Sequence, residues 1–156
     1  MTGPVDDMQR FSLAGARAAA RDDELAQWVA YFLASPGSDN PLLALALAER
    51  EHWWLGPLRV PVDQLVRLAG PEDEALCPIE PEEWEGEVDA MEECLEEGWQ
   101  PPPLLAQYHD GRLVLRDGNH RYEALVRAGA SHAWTLVYFD DPHPRDRFRS
   151  ALARVR

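Results

Sequence analysis

The sequence predicts an α+β fold in which a small mixed sheet has two amphipathic helices ahead of it and one behind. Three observations predict this. Apolar residues recur at helical spacing from Leu25 to Leu33, two runs of strand character flank Asp110-Gly111, and "WTLVYF" is an almost wholly apolar run near residue 137. These signals have different periods, so helices packed on a sheet account for all of them. A chain of 156 residues is one ordinary domain in size and can bury a core.

The first twenty residues are small and polar and are expected to fray. From Asp22, Leu25, Trp28, Val29, Phe32 and Leu33 mark one helix face, and "SPGSDNP" ends it. Asn40 followed by Pro41 supplies an N-cap and a first-turn proline for a second helix, "LLALALAEREHWWL", closed by Gly56 and Pro57. "LRVPV" alternates like a short strand, with Pro61 at an edge or strand end. A capped turn of helix runs from Asp63 to Gly70, and a proline- and acid-rich loop leads into a helix with Trp84, Val88, Met91 and Leu95 on one face and Gly98 at its end. Cys94 lies beside that face and is read as a buried thiol.

Asp110-Gly111 is a favoured two-residue turn between "PPPLLAQYH" and "RLVLR", which predicts a hairpin. A helix from about Arg121 to Ala128 follows, closed by Gly129, and then "WTLVYF" as an interior strand. The last segment, "RDRFRSALARVR", sets Phe148, Ala151, Leu152 and Val155 on one stripe. Its arginines are expected to lie against the acidic helix of the same chain or of a second copy, which makes a homodimer one expected partner state.

Composition narrows the function classes. The chain is 46% hydrophobic with six Trp, which argues for a packed core despite a net charge of −13. No apolar run approaches the roughly 18 to 20 residues of a membrane span, and "MTGPVDDMQR" lacks a signal-peptide layout, so the cytoplasm is the expected location. Cys77 and Cys94 have neither CxxC spacing nor a histidine cluster, which argues against a zinc site or a disulfide framework. Residues 72 to 97 carry thirteen carboxylates with no arginine between Arg67 and Arg112, a stretch that repels nucleic acid. All fifteen basic residues are arginine, which excludes mechanisms built on lysine and leaves phosphate to Arg, His and backbone N–H groups.

The junction "RDGNHRYEAL" concentrates Asp117, Gly118, Asn119, His120 and Arg121 where a strand becomes a helix. Backbone N–H groups lack partners at such a point, so it suits an anion, although Asp-Gly and an Asn cap also make an ordinary turn. Basic residues in a first turn oppose the helix dipole, a small cost that an anion offsets.

"PPPLL", "LVLRDGNHRYEALVRAG" and "WTLVYF" together are similar in order and spacing to the ParB/sulfiredoxin superfamily, over about residues 57 to 141. The junction looks most like the Asp-Gly-x-His-Arg branch that includes free-serine kinases. This resemblance implies a nucleotide-binding ParB/sulfiredoxin-like domain over 57–141 and does not account for the helical extension over 1–56 or the arginine-rich helix over 142–156, which are read from the residues alone. It implies ATP or another nucleotide with Mg²⁺ as cofactor. Gly118 and Asn119 would shape the phosphate loop, His120 and Arg121 would contact phosphate oxygens, and Asp117 would orient His120 or hold Mg²⁺. Asp117 and His120 are the implied catalytic pair, with a base among Glu80, Glu82, Glu83 and Glu85. Asn119 replaces the reactive cysteine of sulfiredoxins, and the Gly-Glu-Arg-Arg loop and helix-turn-helix of chromosome-partitioning members are not recognised, so neither sulfinic-acid repair nor DNA clamping is expected. The resemblance leaves an ATP- or ADP-dependent phosphotransferase acting on a small hydroxylated substrate first. A nucleotide-sensing module that binds CTP or ATP and a protein partner is second, and a ParB-like nuclease third.

Overall fold

A computed structural model describes residues 10–35, 38, 40–70 and 77–155. Six helices are described: α1 (Leu13–Arg21), α2 (Leu25–Ala34), α3 (Pro41–Ala48), α4 (Pro81–Glu96), α5 (Asn119–Arg127) and α6 (Pro142–Val155). The strands are β1 (Trp53–Pro61), β2 (Leu65–Val66), β3 (Ala69–Gly70), β4 (Cys77–Pro78), β5 (Leu104–His109), β6 (Arg112–Asp117) and β7 (His132–Phe139). The fold is α+β, as the sequence predicts. Residues 71–76 of the expected acidic loop lie outside the described residues, as do Pro36, Gly37 and Asp39 and the side chains of Cys77, Ala151, Leu152 and Val155.

The main sheet is mixed, in the order β1-β7-β5-β6-β2; β3 and β4 form a separate pair. β5 and β6 are the expected hairpin, and Asp110 and Gly111 at its tip take φ of 50° and 76°, the paired positive angles that suit a right-twisted ribbon. β7 runs between β1, antiparallel to it, and β5, parallel to it, which explains why its sequence is apolar on both faces.

Side-chain alternation splits the core across the sheet. Leu105 and Leu136 point to one face and pack with Ala16, Val29, Phe32 and Leu33 of α1 and α2. Leu104, Ala106, Val137 and Phe139 point to the other, against Tyr122 and Leu125 of α5 and Phe148 of α6. A third cluster joins Trp84 and Val88 of α4 to Ala124 of α5. The N-terminal helices therefore share a core with the strands.

Five sequence expectations change. The chain before Asp22 forms α1, because Leu13, Ala16 and Ala19 make a small buried stripe and the Ser12 hydroxyl accepts the Gly15 amide at 3.1 Å. The helix after Pro41 stops at Ala48. Trp53 and Trp54 instead open β1, paired with Phe139 and Tyr138, and the Trp54 ring lies 5.1 Å from that of Tyr138. Gly56 and Pro57 form a bulge in that strand rather than a helix end; Gly56 has φ of 128°, and a Cβ there would stand 2.8 Å from the Thr135 carbonyl oxygen.

Asp63 to Gly70 is not a helix. A single 3₁₀ turn, Val62–Gln64, is followed by Leu65–Val66, which covers the open edge of β6. Cys94 is exposed, because the buried stripe of α4 passes one residue to its side. The acidic α4 is met by Arg127 of α5, bonded to Glu85 at 2.7 and 2.8 Å, while α6 lies against β1 and β7.

Phe32 ties the helical layer to the sheet: it is fully buried and its ring stacks on Trp28 at 5.0 Å. Phe32→Ala is expected to lower stability by about 3–5 kcal/mol, with tryptophan fluorescence and sheet dichroism shifting together in urea. A sheet transition left in place would mean that the helices are an independent body.

Candidate functional site

Asp117 ends β6 and Gly118 turns the chain into α5. Gly118 is the N-cap, with φ of 96° and no side chain to cap the first turn, so Asn119 is the first helical residue rather than the cap. The Asn119 side-chain oxygen accepts the Leu68 amide at 2.9 Å, tying the junction to the chain before β3.

Arg121 is not turned to solvent. Its side chain is 6% exposed, and one terminal nitrogen donates at 3.2 Å both to Asp117 and to the Pro103 carbonyl. The guanidinium also lies 5.6 Å from the Phe32 ring centroid. A Cβ on Gly118 would stand 2.9 Å from that guanidinium nitrogen and 2.6 Å from a Leu104 methyl. The missing side chain of Gly118 thus makes room for Arg121 behind the loop. Arg121, expected from the resemblance to contact phosphate, here braces the loop from the protein side.

Asp117 is likewise committed. Its carboxylate accepts from Ser38 Oγ at 3.2 and 3.3 Å, from Asn40 Nδ2 at 3.0 Å and from Arg121. Ser38 and Asn40 belong to the N-terminal region, and Asn40 also caps α3 by accepting the Leu43 amide. With its oxygens directed at these donors, Asp117 does not fit the expected role of magnesium ligand. Among the described residues no group of three or more His, Cys, Asp or Glu is placed to hold a metal. Nor does it orient His120, whose carboxylate neighbour is Glu87.

His120 is half-buried against the Trp84 ring at 4.6 Å, with Nε2 2.7 Å from Glu87. That contact is at ion-pair distance but lacks hydrogen-bond alignment. Burial lowers the His120 pKa, opposed by Glu87 and Glu83 and assisted by Arg121 and Arg67. Glu85, one of the expected bases, is held by Arg127, which lowers its pKa. Glu87 was passed over in the sequence because nothing in an acidic helix marks which carboxylate meets a histidine on another element.

A cavity of about 480 Å³ opens in front of the junction. Gly118, Asn119 and His120 line it with Arg116 on one side, and Leu42, Leu43 and Ala46 of α3 line the other. Arg116 is exposed; burial pushes the Tyr138 phenol up to about 12, and the nearby Arg116 charge partly opposes the shift. Among the described residues no carboxylate forms an ion pair with Arg116. The cation beside the cavity is therefore Arg116, which the sequence presents only as a polar position in a strand.

Fold and cavity together define an α+β scaffold with a cleft beside its strand-to-helix junction, lined by Arg116, the buried Asp117 and the aliphatic side chains of α3. No family model matches the chain, and no curated protein does. Among solved structures it is similar to sulfiredoxin from Arabidopsis thaliana, with 18% identity and a TM-score of 0.40 over 58% of this chain and 92% of that one. It is also similar to a Pnob8-like ParB-N domain, with 22% identity and a TM-score of 0.39 over 62% of this chain and 34% of that one. A third likeness is to the C-terminally truncated chromosome-partitioning protein ParB from Caulobacter crescentus complexed with CTP-gamma-S, with 21% identity, a TM-score of 0.37 and coverage of 56% and 45%. The chain thus spans less than half of either ParB chain. Among the described residues no helix is long and apolar enough to cross a membrane.

Two predictions follow from the buried pair and its neighbour. Asp117→Ala leaves the Arg121 charge unpaired in the core and is expected to cost about 3–5 kcal/mol in urea unfolding, whereas Asp117→Leu with Arg121→Met costs less than the single change. A double variant worse than the single would show that the pair is not what the loop rests on. For His120 the folded pKa lies below the ordinary 6.5. As pH falls through 6.5 the unfolded chain takes the proton first, so the folded state loses stability. The wild type should therefore lose stability relative to His120→Asn between about pH 7.5 and about pH 5.5; parallel curves would contradict this assignment.

Proposed function

We propose that the chain binds a nucleotide, with the phosphates seated in the cavity between Arg116 and the first turn of α5. The observation that carries the reading is an exposed arginine, without a carboxylate partner among the described residues, beside an open cavity at a helix start that no side chain caps. First-turn amides have no acceptor within their own helix, and the dipole favours an anion there. Arg adds a planar donor set matched to phosphate oxygens. The resemblance of residues 57 to 141 to the ParB/sulfiredoxin superfamily points the same way. Binding without turnover is the first form of this reading, because Asp117 and Arg121 are engaged in holding the loop.

Phosphoryl transfer to a small hydroxylated acceptor is the second form, and the pairing of His120 with Glu87 favours it. A lowered pKa keeps the imidazole neutral near pH 7, able to take an acceptor hydroxyl's proton as its oxygen attacks the terminal phosphorus and the bridging P–O bond breaks, the nucleoside diphosphate leaving with the electron pair, while Glu87 stabilises the imidazolium that results. His120→Gln then abolishes transfer and leaves nucleotide affinity nearly intact.

Calorimetric titration of the full chain with ATP and with CTP tests the binding site. Arg116→Ala is expected to weaken binding by about tenfold, the loss of roughly one charge-assisted hydrogen bond, with the unfolding midpoint of the free protein unchanged. Unchanged affinity in that variant would remove Arg116 from the site, and a wild type that binds no nucleotide would end the reading.

A further inference from the structure

α3 is an odd helix to leave on a surface. Its sequence, PLLALALA, contains no polar residue, yet Leu43 is its buried residue while Leu42 and Leu45 are 79% and 66% exposed. A helix apolar all round is ordinarily covered on more than one side. Leu42, Leu43 and Ala46 face the cavity across from Arg116 and the α5 first turn. The cavity is thus amphipathic: Arg116 and the α5 amides lie in its polar part, where the lining Asp117 carboxylate is taken up by Ser38, Asn40 and Arg121, and α3 adds aliphatic surface. Such a lining fits a ligand that is a polyanion at one end and a flat, weakly polar body at the other.

The polar side chains that α3 and its approach bring to this wall are already in use. Ser38 Oγ and Asn40 Nδ2 donate to Asp117, and Asn40 Oδ1 accepts the Leu43 amide. What α3 offers is burial and dispersion, with little hydrogen-bonding capacity left to distinguish one base edge from another. A volume of about 480 Å³ lies within the range of small-molecule pockets.

We infer that α3 is the platform for the nucleoside half of the ligand, held by apolar contact rather than by hydrogen-bonded reading of the base, so that nucleoside triphosphates bind irrespective of base. This rests on the phosphates occupying the α5 end, and it gives the N-terminal helices a direct part in the site.

The test is calorimetric titration of the full chain with ATP, GTP, CTP, UTP and inorganic tripolyphosphate, in the wild type and in Leu42→Ala and Leu45→Ala. Both substitutions keep a good helix former at an exposed position, and Leu45 does not line the cavity. The four nucleotides are expected to bind within about threefold of one another. Leu42→Ala should weaken all four by about fivefold, from the apolar contact it deletes, leave tripolyphosphate unchanged, and differ from Leu45→Ala, which changes neither. A preference of about tenfold or more for one base, or equal effects of Leu42→Ala on nucleotides and tripolyphosphate, would overturn the inference while leaving the phosphate seat standing. Failure of tripolyphosphate and all nucleotides to bind the wild type would overturn the phosphate seat and the platform with it. Sedimentation of the same proteins reads the remaining occupant: a dimer that either alanine variant dissolves would mean that a second copy covers α3, and the platform would be lost.

Discussion

A buried carboxylate must be satisfied where it lies, and the architecture around the junction is organised by that requirement at Asp117. Its oxygens accept from the Ser38 hydroxyl and the Asn40 amide, which arrive from the segment before α3, and from the Arg121 guanidinium of α5. Without them a charge at the end of β6 would carry a desolvation penalty of several kcal/mol. With them, the N-terminal region, the hairpin and α5 are pinned to one point. Gly118 follows from the same requirement, since a side chain there would occupy the space the guanidinium takes.

This arrangement sorts the two arginines of the junction into different work. Arg121, four residues after Asp117, sits on the same side of the turn as its partner and closes the loop from behind. Arg116 lies one position before Asp117, at the irregularity where β5 and β6 shift register between Leu105 and Ala106; both residues line the cavity, but Arg116 is exposed and Asp117 is buried. A loop braced by one guanidinium and fronted by another is stiff on its inner side and cationic on its outer side. Such preorganisation reduces the ordering cost of binding an anion.

The acidic helix is the second organising feature. α4 presents Glu85 to Arg127, Glu87 to His120 and the Trp84 ring to Arg67, whose guanidinium lies 4.7 Å from the ring centroid. Arg67 also pairs with Glu123 at 3.1 Å. The negative charge of residues 72 to 97 is thus partly answered by Arg127 of α5. Trp84 and Val88 fix the helix against Ala124 beneath these contacts.

The amino-acid sequence by itself determined the elements whose signals are local. The hairpin follows from Asp110-Gly111, the start of α3 from Asn40-Pro41, α4 from a long stripe closed by Gly98, and β7 from an apolar run that only a sheet interior accommodates. It also placed the candidate site at the strand-to-helix junction. Tertiary structure decided what depends on partners far along the chain. Trp53 and Trp54 read as the end of an apolar helix until β7 offers them a ladder, and two-residue strands such as Leu65–Val66 carry no periodicity to read. Which arginine faces the cavity is set by the fit of Arg121 beneath Gly118 and by donors 77 and 79 residues from Asp117. Side-chain direction at a turn is a property of the space around it, and that space exists only once distant segments have packed.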